Sequence, residues 1–99
     1  MEIKLQAIHF DADQKLVDFT EKKAKKLTQF YDKIISVDIF LKFDSGNGQV
    51  RDKTADVKLN IPGNTLFSGF TSKTFEESLN KCFESLTRQL KKQKEKLKA

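Results

Sequence analysis

The run RQLKKQKEKLKA, residues 88–99, holds the densest set of chemistry-bearing side chains in the chain. Arg88, Lys91, Lys92, Lys94, Lys96 and Lys98 supply six positive charges against the single carboxylate of Glu95. The whole 99-residue chain carries a net +5, so residues 1–87 balance at thirteen basic against thirteen acidic. A surplus so localised has two physical readings. Lysines in the last turns of a helix complement the negative end of its dipole and keep a tail soluble. A concentrated cationic stripe is also the electrostatic footprint of a polyanion-binding surface.

Catalysis finds little to work with. His9 is the only histidine and ends a strand-like stretch, which fits a turn or edge position better than acid–base work. Cys82 is the only cysteine and lies on an apolar helical stripe, where a thiol packs; an activated nucleophile needs a basic, partly exposed setting. No CxxC, HExxH or clustered His/Asp set is present to hold a metal. The stretch SGNG, residues 45–48, lacks the spacing of a phosphate-cradling loop and reads as a hairpin connection. Asp11 and Asp13 are explained by helix capping. The expectation is a protein that is not an enzyme and takes no cofactor.

The basic residues are more informative on helical projections. Lys15, Lys22 and Lys26 fall within about 40° of one another at i, i+7, i+11, roughly opposite the apolar stripe of their helix. Lys81, Arg88 and Lys92 repeat that spacing on the last helix. Two such rails on helices packed ~8–10 Å apart would form a broad cationic surface. Phosphate backbones match it with periodic negative charge. Ser78, Ser85 and Gln89 flank the second rail as expected donors to phosphate or 2′-hydroxyl oxygens. Without a recognition-helix signature the partner expected is structured RNA, not DNA. A membrane surface is disfavoured because the apolar stripes are needed to cover a sheet.

The elements that position these residues follow from periodicity. Residues 2–9 alternate, with Ile3, Leu5 and Ala7 on one face, as a half-buried strand does. Asp11, with Gln14 three residues on, can open a helix over residues 13–31 whose inward face is Leu16, Val17, Thr20, Ala24, Leu27 and Tyr31. SVDIFLKFD and KTADVKLNI alternate strictly and read as two further strands; TLFSGF, after the turn PGN, is a short fourth. Thr74, with Glu77 three residues on, caps a long helix with an apolar stripe of Phe75, Leu79, Cys82, Leu86, Leu90 and Leu97. The order is β-α-β-β-β-α. Short links between the last three strands require an antiparallel meander, and the first helix can return the chain so that strands one and two run parallel. The expected fold is α+β, a two-layer sandwich of one four-stranded mixed sheet with both helices on one face. Lys42, Asp56, Lys58 and Asn60 then occupy the water-facing side.

Length fits one domain over residues 1–99. The 37% apolar content with nine Phe provides a core. No apolar run approaches the ~20 residues of a membrane span, and the opening MEIKLQAIHF lacks signal-peptide order. With a lone cysteine, a reducing, cytoplasmic setting is the expectation.

Two stretches carry a resemblance. ADVKLNIPGNTLFSG, followed by a helix with RQLKKQKEK, resembles the ribosome hibernation promoting factor and ribosome-associated inhibitor family (the sigma-factor modulation family) in its short form. Arg88-Gln89-Leu90-Lys91-Lys92 matches the family's most specific run, and the similarity extends over essentially the whole chain. The resemblance implies the β-α-β-β-β-α topology and binding to the small (30S) ribosomal subunit and its ribosomal RNA. It further implies occupation of the tRNA and mRNA channel and inhibition of translation in starvation or stationary phase. RNA-contacting positions carry over to Lys23 and Lys26, and to Arg88, Lys91, Lys92 and Lys94; the two rails add Lys22 and Lys81. The chain departs from the family at Glu76, where a tyrosine is usual, and at Ser85, where a lysine is common. The second domain of long members and the acidic extension of the inhibitor branch are not expected here, and a second hibernation factor for ribosome dimerisation is a further partner that the resemblance allows. The reading from another class is a protein-interaction module binding an acidic partner surface without ribosomes.

Overall fold

Strict alternation in the central strands decides the architecture, because it gives the sheet one apolar face and one wet one. The computed structural model describes residues 1–44 and 52–98, with side chains through Glu95. The SGNG connection and the side chain of Leu97 lie outside the described residues. The elements are β1 (Glu2–Ala7), α1 (Gln14–Lys26) with a following 3₁₀ turn (Leu27–Gln29), β2 (Ser36–Asp44), β3 (Asp52–Ile61), β4 (Asn64–Ser72) and α2 (Phe75–Lys98). The sheet order is β1-β2-β3-β4. β1 pairs parallel to β2, and the pairs β2–β3 and β3–β4 are antiparallel. This is the expected α+β arrangement.

The inward face carries Val37, Ile39 and Leu41 from β2 and Ala55, Val57, Leu59 and Ile61 from β3, all buried. Leu27 of the 3₁₀ turn and Leu79, Cys82, Leu86 and Leu90 of α2 complete one contiguous core. On the outer face Lys42 and Asp56 approach to 3.8 Å, and Asn60 bridges Ser36 and Asp38. At the β3–β4 hairpin Pro62 pre-sets one central φ, and Gly63 supplies the positive φ of 77° that a two-residue turn with proline first requires. β4 runs longer than TLFSGF because β3 offers partners from Ile61↔Asn64 to Lys53↔Ser72.

Both helix starts are capped, one of them not where the spacing placed it. Thr74 Oγ1 accepts the Glu77 N–H at 3.1 Å, as expected. For α1 the cap is Asp13, whose carboxylate accepts the Leu16 N–H at 2.8 Å, and not Asp11. The chain needs the two extra residues because Phe10 packs into an aromatic cluster, 4.9 Å from Phe43 and 5.1 Å from Phe75. His9, at φ 64°, turns the chain into that cluster. The α-helix also ends earlier than Tyr31. The Thr28 hydroxyl takes the Lys25 carbonyl at 2.6 Å, and the N–H groups of Phe30 and Tyr31 both reach Leu27 O, tightening the last turn.

Cys82 is a packing residue. It is fully buried, its Sγ donates to Ala55 O at 3.3 Å, and burial pushes its thiol up from 9.0 to about 11. In the fold the thiol keeps its proton, whereas in the unfolded chain it ionises near 9.0. Its stabilising contribution is therefore complete below pH 9.0 and is lost as pH rises to about 11. Urea midpoints of the native chain and Cys82→Ala should converge across that window, and native Cys82 should resist alkylation that goes to completion in urea. Leu86→Ala, a deletion at a fully buried site, should cost about 2–5 kcal/mol in denaturant titrations.

Candidate nucleic-acid interface

The two helices run in the same direction. α1 returns the chain from the end of β1 to the start of the parallel β2, and so runs against both strands. α2 leaves the end of β4, which is parallel to β2, and also runs back. Side-chain hydrogen bonds mark its path: Ser78 Oγ donates to Lys53 O at 2.7 Å, Gln89 Nε2 to Phe67 O at 3.1 Å, and Asn64 Nδ2 to Gln93 Oε1 at 3.4 Å. Both N-termini therefore lie at one end of the molecule and both C-termini at the other. Asp11, Asp13, Glu76 and Glu77 cluster around the former. Lys22, Lys23, Lys25 and Lys26 of α1 and Arg88, Lys91, Lys92 and Lys94 of α2 gather at the latter. Cations there face the negative ends of two helix dipoles. α2 continues past the buried Leu90 by eight residues, about 12 Å, to Lys98.

The structure splits the expected pair of rails. A groove of about 160 Å³ separates the helices, with Lys23, Lys26, Leu27 and Phe30 on one wall. Asn80, Phe83, Glu84 and Thr87 form the other. Lys26 is exposed and Lys23 half-buried on the groove side of α1, and Lys22 is exposed on the outer side of Lys26. Lys15, although on the same stripe, sits in the first turn of α1, about 16 Å of helix rise from Lys26 and at the acidic end. On α2 the rail does not face α1. Lys81, Arg88 and Lys92 lie roughly 100–140° round the helix from Thr87, exposed on the solvent side of α2 that is turned away from α1. The Lys81 ammonium also stands 3.9 Å from the Glu84 carboxylate, which offsets part of its charge. The residue that α2 does contribute across the groove is Lys91, whose Nζ lies 5.6 Å from the centroid of the Phe30 ring. Sequence periodicity fixes which residues share a stripe on one helix, not which flank turns toward a neighbour.

Two of the polar residues assigned to the second rail, Ser78 and Gln89, are engaged with the sheet instead. Ser78 is fully buried; besides Lys53 O its hydroxyl meets Ser72 Oγ at 2.6 Å. Gln89 is half-buried between Phe67 O and Ser85 Oγ. Ser78 and Gln89 dock α2 on β3 and β4, so their donors serve the sheet and not RNA, while the half-buried Ser85 hydroxyl accepts from Gln89 and keeps its own proton to give. Phe30 was passed over in the sequence because it falls off the apolar stripe, beside Tyr31. It is 37% exposed at the mouth of the groove. An aromatic off the stripe within a lysine-rich helix end was the available signal.

Among the described residues no group of three His, Cys, Asp or Glu side chains is placed to hold a metal ion, and no helix is long and apolar enough to cross a membrane. Fold and site together define a small α+β domain with a cationic end and a narrow interhelical groove. The chain belongs to the family described as Sigma 54 modulation protein / S30EA ribosomal protein, which it matches over residues 3–98. It is 26% identical over 96 residues to a ribosome hibernation promoting factor of Pseudomonas putida, covering 97% of this chain and 89% of that protein. Two solved structures share its fold. A ribosomal subunit interface protein from Coxiella burnetii superposes with a TM-score of 0.84 at 23% identity, covering 95% of this chain and 98% of that one. The N-terminal domain of Protein Y from Thermus thermophilus does so with a TM-score of 0.80 at 19% identity, covering 93% and 98%.

If Ser78 serves the sheet, Ser78→Ala should lower stability by about 1–3 kcal/mol, the cost of stranding buried polar partners. Below its melting range the variant should show the same retention of RNA on a filter as the parent, whatever that is. A urea titration beside a filter-binding curve separates the two effects.

Proposed function

We propose that this chain is a non-enzymatic ribosome hibernation factor that acts as a single domain. It binds the small (30S) subunit in the tRNA and mRNA channel and silences translation in starvation or stationary phase, in the cytoplasm. The observation that carries this reading is the gathering of basic side chains from two separate helices at one end of a chain of this family. Ribosomal RNA supplies the dense phosphate charge that such a surface fits. The contacting residues are Lys22, Lys23 and Lys26 on α1 with Arg88, Lys91, Lys92 and Lys94 on α2. Lys81 takes a lesser part because Glu84 stands beside it.

Occupation of a channel is stoichiometric. Added to a translation extract, the protein should inhibit in proportion to its ratio to ribosomes, and excess tRNA with mRNA should relieve the inhibition. Inhibition far below one protein per ribosome would point to turnover and refute this mechanism.

Charge neutralisation makes a second prediction. Each phosphate contact releases counterions, so affinity should fall steeply with salt. Changing Arg88, Lys91, Lys92 and Lys94 together to Gln preserves helix propensity. Cosedimentation with purified small subunits should weaken strongly, and the plot of log K against log salt should become shallower. Changing Lys4, Lys42, Lys58 and Lys73 to Gln removes equal charge from exposed positions away from the helix C-termini and should do much less. Equal loss in both variants would assign binding to bulk charge.

A further inference from the structure

The groove between α1 and α2 has chemistry that phosphate binding does not use. Its floor is apolar, made by Leu27, Phe30 and Phe83, of which Leu27 and Phe83 are buried while Phe30 keeps 37% of its surface in water. Its rim is cationic, with Lys23 and Lys26 on one side and Lys91 across the Phe30 ring. Its far wall is polar, with Asn80, Glu84 and Thr87. At about 160 Å³ it is well below the roughly 300 Å³ at which sites for drug-sized ligands begin, so the occupant is one small flat group. Apolar faces, a polar edge and an adjoining negative charge are the three properties of a single unpaired nucleotide.

We propose that this groove receives one unpaired nucleobase of the bound RNA, stacked on Phe30, with its flanking phosphates on Lys23, Lys26 and Lys91. The inference rests on the RNA-binding reading above and adds a specific subsite to it. In the free protein the Lys91 ammonium covers the exposed face of the Phe30 ring at 5.6 Å from its centroid. The incoming base takes that face, and the ammonium moves to the phosphate that arrives with it. Stacking is tolerant of base identity, but the wall is rich in acceptors. Glu84 accepts only, and the Thr87 hydroxyl spends its proton on Phe83 O at 2.8 Å, leaving its oxygen to accept. An edge bearing an exocyclic amino group therefore finds acceptors in Glu84 and Thr87, while Asn80 offers both a donor and an acceptor to any base.

Phe30→Leu tests the subsite, because leucine keeps apolar bulk and removes the π face. Base–aromatic stacking of the usual strength predicts roughly 5- to 150-fold weaker binding to purified small subunits at every salt concentration, with an unchanged salt slope. Phe30→Tyr should restore affinity, and equal thermal midpoints should show that the fold is intact. A short single-stranded RNA carrying 2-aminopurine supplies a direct readout. Its fluorescence should be quenched by the native chain and by Phe30→Tyr, and not by Phe30→Leu. If the four-site charge variant loses affinity while Phe30→Leu matches the native chain in both assays, the subsite is refuted and RNA binding stands. If neither variant differs from the native chain, both readings fall.

Discussion

Val37, Ile39 and Leu41 of β2 and Ala55, Val57 and Leu59 of β3 are wholly removed from water. No single helix can do this for four strands. Strands lie about 4.8 Å apart, so the inner face is roughly 15–20 Å wide, against a helix diameter of about 10–12 Å. Two helices must therefore share one face. The meander fixes their directions: each leaves the same end of the sheet, from one of its two opposite edge strands, β1 and β4, which run parallel, and each runs back over it. Bringing the basic residues of two sequence-distant segments to one end is a consequence of covering the sheet. The two segments then meet along the groove, where Phe83 and Thr87 lie across from Lys23 and Leu27 and Lys91 reaches Phe30.

α2 is longer than the sheet needs. Its anchoring runs from Phe75 to Gln93, with Ser78, Cys82 and Gln89 each bonding a strand carbonyl and Gln93 accepting from Asn64 of β4. Such contacts align the helix along β3 and β4 at defined positions, which apolar packing alone leaves less determined. Beyond Gln93 the helix is carried by propensity and by the fixed turns before it, since extending an existing helix costs far less than nucleating one. A cationic projection thereby continues from a well-anchored body.

Much of this was legible before any coordinates, for a simple reason. The strands and both apolar stripes are short-period patterns, and burial enforces them residue by residue. What failed depends on tertiary context. Asp11 and Asp13 are equivalent in local chemistry, and only the docking of Phe10 against Phe43 and Phe75 decides between them. Ser78 and Gln89 look like surface donors on a wheel, yet the sheet beneath α2 claims them. The stripe that carries Lys81, Arg88 and Lys92 faces solvent away from α1 because Phe83 and Thr87 are the residues packed toward α1. Periodicity says nothing about which of two flanks a neighbour will take.

The same geometry resolves the two readings of the basic tail. Phosphates are ordinarily bound at helix N-termini, where N–H groups point outward and the dipole is positive. Here the proposed RNA surface is built from two C-termini, each equivalent to about half a negative charge, which repel phosphate. Lysines sufficient only to complement the dipoles would leave that end nearly neutral. Attraction begins with the charges in excess of that requirement, and α1 and α2 together supply far more than one. Dipole compensation and the proposed polyanion binding are thus compatible as successive demands on one set of side chains, and the second would account for the size of the set.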